Sequence, residues 1–277
     1  MRALLARLFR RRIVMVAAVV LLATVVLALG ASVFAGADPN DTAVLDRLKP
    51  PSAAHLMGTD ELGRDLYSRV IHGARYSLAI AAFTAAGAIV LGTLVGLLAG
   101  FFRRLDAPLS RVVDAMMSFP DILLAIALVA ILGPSLANVV LALVLVYTPR
   151  VARVVRASTL VVRELLFVEA ARAIGARTPH ILWHHVLPNL LSPILVQGSF
   201  IFAYAILAEA GLSFLGVGVP PEIPTWGTMV AGSQQYADRA FWVVLFPGLA
   251  IIFTALSLQL LGDGVRDLLD PKLKKAA

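Results

Sequence analysis

The 277-residue chain contains no cysteine, so it has no disulfide framework, no thiolate metal site and no cysteine nucleophile. Charge is scarce as well: Asp, Glu, Lys and Arg make up 15% of the residues, against roughly a quarter in soluble domains. Acids number 17 against 24 bases, which leaves a net charge of +7. No P-loop sequence and no recognisable pairing of nucleophile and base occurs, so the chain carries no provision of its own for binding ATP. What fills it instead is apolar, with 60% hydrophobic residues and a mean hydropathy of +0.88. That composition describes a polytopic membrane protein. The surplus of bases does not point to nucleic acid, because most Lys and Arg flank apolar runs rather than cover a soluble face.

A helix needs about 20 residues to cross a hydrocarbon core of roughly 30 Å. Uncharged runs over 13–37, 76–102, 135–149, 186–208 and 240–262 supply five candidates. A sixth is expected over 111–132, carrying Asp114 and Asp121, with Pro120 as a kink and Gly133-Pro134 as its end. The expected fold is therefore all-α, with six transmembrane helices. Arg10-Arg11-Arg12 before the first run and Ala35-Gly36-Ala37 after it imitate a signal peptide. Signal-peptide apolar cores run to only about 7–15 residues, so a retained anchor is expected.

Lys and Arg set the orientation. They gather at Arg2, Arg7, Arg10, Arg11 and Arg12; at Arg103, Arg104 and Arg111; at Arg150, Arg153, Arg156, Arg163, Arg172 and Arg177; and at Arg266, Lys272, Lys274 and Lys275. In a six-span threading all four groups fall on one side, the cytoplasm by the positive-inside rule, and both termini lie there. The opposite side holds 38–75, where acids and bases nearly balance, and 211–239, which has few charges.

Between the fourth and fifth spans lies a polar, helix-forming island. Residues 163–174 favour helix, Gly175 suits a C-terminal turn with positive φ, and Thr178-Pro179 reads as cap and first turn of a second short helix. Taken alone, such a loop reads as an interfacial helix anchored to lipid headgroups. His180, His184 and His185 put two imidazoles one turn apart, but Ile181 stands where a zinc-protease helix would carry Glu, and a metal site is not expected. Asp114, Asp121 and Glu209 are candidates for a pathway or gate, since ionisable groups at membrane depth are costly unless they face water or a partner. At the outer end of its span, Glu209 equally suits a capping or snorkelling role.

The island reads Glu169-Ala170-Ala171, three residues, Gly175, nine residues, then His185-x-Leu187-Pro188-Asn189. It resembles the EAA loop of binding-protein-dependent ABC importer permeases, and the His-x-Leu-Pro-Asn ending resembles the dipeptide, oligopeptide, glutathione and nickel branch. Two flanking regions resemble the "C"-type permease of the same branch. One runs through Gly58-Thr59-Asp60, Gly63-Arg64-Asp65 and Arg75-Tyr76-Ser77-Leu78. The other runs from Leu212-Ser213-Phe214-Leu215-Gly216 through Pro220-Pro221, Trp226-Gly227 and Phe246-Pro247-Gly248 to Gly262-Asp263-Gly264-Val265-Arg266-Asp267.

The resemblance implies a type I importer fold in the bacterial cytoplasmic membrane, no cofactor, and a transport subunit without its own ATPase site. It also implies four kinds of partner: a homologous "B"-type permease, two ABC ATPases, an extracytoplasmic binding protein and membrane lipid. Glu169, Ala170, Ala171, Gly175, His185, Leu187, Pro188 and Asn189 would form the ATPase docking loop, a coupling helix within 163–189. The expected division is an N-terminal tail, first span and external segment over 1–75, a permease core over 76–266 and a tail over 267–277. Two other classes stay open from the residues alone. An intramembrane enzyme would need converging polar groups at membrane depth, and a passive channel would need no docking loop.

Overall fold

The computed structural model describes residues 11–269, so Arg2, Arg7, Arg10 and the C-terminal lysines lie outside the described residues. Within that range the chain is helical: α1 (Arg12–Leu29), α2 (Leu66–Phe101), α3 (Arg103–Met117), α4 (Asp121–Leu132), α5 (Leu136–Val162), α6 (Leu166–Ala173), α7 (Leu187–Phe214), α8 (Trp226–Gly232) and α9 (Trp242–Leu269). Helices α1, α2, α5, α7 and α9 are long and apolar enough to span a bilayer. Arg11, at the start of α1, is ion-paired with Asp267 near the end of α9, which puts these two ends on one face.

The sixth span is not the continuous helix expected over 111–132. Helices α3 and α4 meet at 93°, with the break at Ser118–Pro120. Pro120 has no N–H to give and pushes Phe119 out of the α region, so the helix restarts at Asp121. At ~1.5 Å per residue α4 is only about 18 Å long, a short crossing beside an amphipathic α3. Gly133, with φ +85°, then turns the chain. Asn138 donates to the carbonyls of Leu132 and Gly133 at 2.7 and 3.0 Å, and Ser135 Oγ accepts from Asn138 N.

Helix α5 departs from expectation at its other end. The apolar run was expected to stop at Pro149, yet the helix continues to Val162 through Arg150, Arg153 and Arg156. Each of these arginines meets a carboxylate of α3 or α4, and that pairing removes the reason for the span to end.

Helices α2 and α5 form the centre of the fold through a stripe of glycines. A Cβ on Gly96 would sit 2.6 Å from the Ala152 carbonyl oxygen and 2.7 Å from Val155 Cβ; one on Gly100 would sit 2.6 Å from Thr159 Cβ. With Gly92 these residues recur every fourth position, the small-residue spacing that lets membrane helices approach closely. In lipid this contact, rather than the hydrophobic effect, holds the pair together.

Candidate functional site

The island folds as two short helices, α6 and a single turn over Thr178–Ile181, followed by a π-helical turn over Leu182–Val186 that leads into α7. Helix α6 ends as the sequence indicates. Gly175 takes φ +81°, its N–H reaches the Arg172 carbonyl at 3.0 Å, and Ala176 N reaches the Ala171 carbonyl at 3.0 Å, which is a Schellman closure. Thr178 does not cap the second helix; Arg177 occupies that position without a side-chain bond, and Pro179 sits in the first turn.

One face of α6 is fastened to the protein and the other is bare. Val168 and Ala171 are buried, at 0% and 5% exposure. The Arg172 guanidinium lies 5.1 Å from the centre of the Phe101 ring, and Arg163 Nη1 donates to the Gly100 carbonyl at 2.7 Å. The loop is thereby tied to the end of α2. Glu169 and Ala170 point outward, flanked by Leu166 and Ile174, which are 81% and 84% exposed. Pro188 and Asn189 are also exposed, while His185 and Leu187 are half-buried. Asn189 Nδ2 bonds the His185 carbonyl at 2.7 Å, which fastens the first turn of α7. His180 and His184 stack with centroids 4.2 Å apart, and no metal-ligand cluster occurs among the described residues.

The acidic candidates fall into two settings. Asp114 accepts from Arg153 at 2.7 Å, Asp121 is ion-paired with Arg150, and Asp106 accepts from Arg156 Nε at 2.5 Å and Nη2 at 3.1 Å. Arginines three residues apart on one face of α5 thus stitch both halves of the broken span to it. Glu209 is enclosed at 1% exposure, and its Oε1 accepts from Ser213 and Thr225 hydroxyls, both at 2.8 Å. It anchors the loop before α8, rather than standing on an open surface.

At the end of α2 opposite the island, α8 is pinned to α2. Trp226 Nε1 donates to the Val70 carbonyl at 2.9 Å, and its N–H donates to Ser77 Oγ at 3.1 Å. Asp65 caps α2 by accepting from Ser68 N at 2.9 Å and also contacts His55 Nδ1 at 2.9 Å, so these groups tie the segment down. Asp60 binds Arg64 and faces Arg69. Between this segment and the 213–233 region lies a cavity of about 450 Å³, lined in part by Glu61, Arg64 and Glu222. Burial, and the neighbouring Asp60 after it, hold the Glu61 carboxyl above the usual range.

Residues 88–275 match the family described as the inner membrane component of binding-protein-dependent transport systems. The chain belongs to this family. A putative peptide transport system permease of Brucella suis is 50% identical, over 97% of this chain and 90% of the relative. The dipeptide transport permease of Alkalihalophilus pseudofirmus is 42% identical, over 96% and 88% respectively. The glutathione transport permease of Pectobacterium atrosepticum is also 42% identical, over 97% and 90%. In fold, the chain resembles an inward-facing MetNI methionine ABC transporter, with TM-score 0.59 and 21% identity over 73% of this chain and 97% of that one.

Sequence reasoning passed over two features of this permease. One is the acid partners of Arg150, Arg153 and Arg156, which signal themselves only as three bases at helical spacing. The other is the Gly92, Gly96 and Gly100 stripe, legible in the sequence as a repeated four-residue interval.

Proposed function

We propose that the chain is a permease subunit of an ATP-driven importer for di- or oligopeptides or a related solute such as glutathione or nickel. The names of its relatives support peptides and glutathione; nickel comes from the resemblance of the loop's ending alone. In this reading the exposed face of α6, with Glu169 and Ala170, docks on an ABC ATPase, while the buried Val168 and Ala171 hold the helix in place and Arg172, over the Phe101 ring, passes its movement to α2. Gly175 fixes where α6 ends. His185, Leu187, Pro188 and Asn189 join the docking loop to α7. A homologous "B"-type permease completes the pathway, two ATPases supply the work, and a binding protein delivers the solute to the outer face.

In this reading the chain lies in the bacterial cytoplasmic membrane with both termini cytoplasmic. The core is 76–266, and 1–75 and 267–277 are its extensions. One observation carries the coupling role: the EAA helix is fastened on one side and exposes Leu166, Glu169, Ala170 and Ile174 on the other, as a lever requires. Copurification of the permease with its ATPases tests it. Glu169→Arg combined with Gly175→Pro should abolish both ATPase association and solute uptake; survival of both overturns the coupling assignment.

A further inference from the structure

The Asp121–Arg150 pair has more around it than a stitch between helices needs. Arg150 lies about 21 Å along α5 at ~1.5 Å per residue, level with the first turn of α4, where Asp121 pairs with it. Its guanidinium carbon is 5.7 Å from the Tyr147 ring centre and 5.5 Å from that of Tyr204, so two aromatic faces attend one cation. Tyr147 is buried and its hydroxyl donates to the Tyr204 carbonyl at 3.4 Å, which joins α5 to α7. Beside the pair is a cavity of about 240 Å³ whose walls include Asp121, Ile122, Leu143, Tyr147, Tyr204 and Ala208.

About a third of each charged side chain is exposed, 35% for Arg150 and 38% for Asp121. Ionised groups set among apolar helices are costly against lipid, which favours a cavity that opens toward water rather than toward lipid. The exposure also leaves donors of Arg150 and lone pairs of Asp121 free for a further partner.

We propose that Asp121 and Arg150, backed by Tyr147 and Tyr204, form a transit subsite that reads the charged termini of a zwitterionic peptide. The idea rests on the peptide reading above. Arg150 takes the terminal carboxylate as a planar fork and Asp121 takes the terminal ammonium. One ion pair opens and two form, so the net charge of site plus ligand stays zero and no isolated charge is left buried. A ligand lacking either terminal charge would leave Asp121 or Arg150 partnerless and is selected against. Because the pair closes again on itself after release, the subsite is weak by construction, as passage requires.

The test uses the complete importer, with partner permease, ATPases and binding protein, in proteoliposomes. A dipeptide with free termini is supplied at a concentration that saturates the binding protein, so only steps after delivery are compared. Asp121→Asn with Arg150→Gln removes both charges together and leaves none unpaired. The proposal predicts assembly with the ATPases as in wild type and about tenfold slower maximal turnover, the scale of a lost hydrogen bond to a charged group. Wild-type turnover in that variant overturns the proposal and marks the pair as a helix stitch.

Should the double variant fail to assemble, Arg150→Lys carries the test, since it keeps the charge and loses the fork. A fall of roughly threefold or more in maximal turnover at wild-type assembly supports the subsite; unchanged turnover overturns it. A wild-type importer that carries nickel but no peptide overturns the peptide reading itself, and this proposal with it.

Discussion

Replacement of Gly175 isolates the backbone term in the coupling loop. A Cβ added there meets nothing within 4 Å, so Gly175→Ala creates no clash and its whole cost is the φ of +81°. An L-residue in that region costs about 1–2 kcal/mol, a factor of roughly 5–30 in the population of correctly ended α6. Asn enters the left-handed region more readily than Ala and should retain more function. Pro, locked near φ −65°, cannot adopt the turn and also loses the N–H that bonds Arg172 at 3.0 Å. ATP-driven uptake into proteoliposomes should therefore fall in the order Gly, Asn, Ala, Pro, with at most about 30-fold loss for Ala. Uptake with Ala at least equal to that with Asn would refute the reasoning, because steric room cannot distinguish them at an open position.

Other perturbations address the remaining parts of the fold. Gly96→Val should lower the thermal stability of the purified permease by more than about 1–3 kcal/mol, because the Ala152 carbonyl oxygen is backbone and cannot move aside; an unchanged melting temperature contradicts the glycine contact. A double-mutant cycle on Asp106→Asn and Arg156→Gln should give a coupling of no more than about 1 kcal/mol, since both side chains are partly exposed. Thr225→Val removes one of two hydroxyls from the buried Glu209 and, with it, the side-chain cap of α8, and should cost at least about 1–3 kcal/mol, read as earlier protease cleavage between α7 and α8. Glu61 has its folded pKa raised, so its contribution to stability is fully present below the ordinary glutamate range and is lost as pH rises through the folded value. Glu61→Gln should accordingly raise the melting temperature at neutral pH, with the difference narrowing on acidification.

The parts of the molecule governed by local rules were legible in the sequence. Apolar runs located five spanning helices, and Gly175 announced the end of α6 because few other residues accept its φ. The cap that Asp65 gives α2 is equally local, since its carboxylate accepts from Ser68 only three residues on. What depended on partners distant in sequence was not legible. Helix α5 runs past Pro149 only because Asp106, Asp114 and Asp121 lie opposite its arginines. Glu209 could be read as lining, capping or snorkelling until Thr225, from the following loop, was seen to reach it. The split of the EAA motif into a buried Ala171 and an outward Ala170 likewise follows from how α6 lies against the short helix and turn that follow it, not from the motif.

That split gives the most direct test of the coupling role. The natural chain has no cysteine, so a single Ala170→Cys, Ala171→Cys or Glu222→Cys substitution supplies its sole thiol. Each variant, labelled with a thiol-reactive photo-crosslinker in the assembled importer, is illuminated and probed for adducts with an ATPase subunit. The lever account predicts an adduct from Ala170→Cys, poor labelling at the buried Ala171 position, and labelling without an ATPase adduct from Glu222→Cys, at the opposite end of the fold from α6. No adduct from a fully labelled Ala170→Cys, or an ATPase adduct from Glu222→Cys, would contradict it.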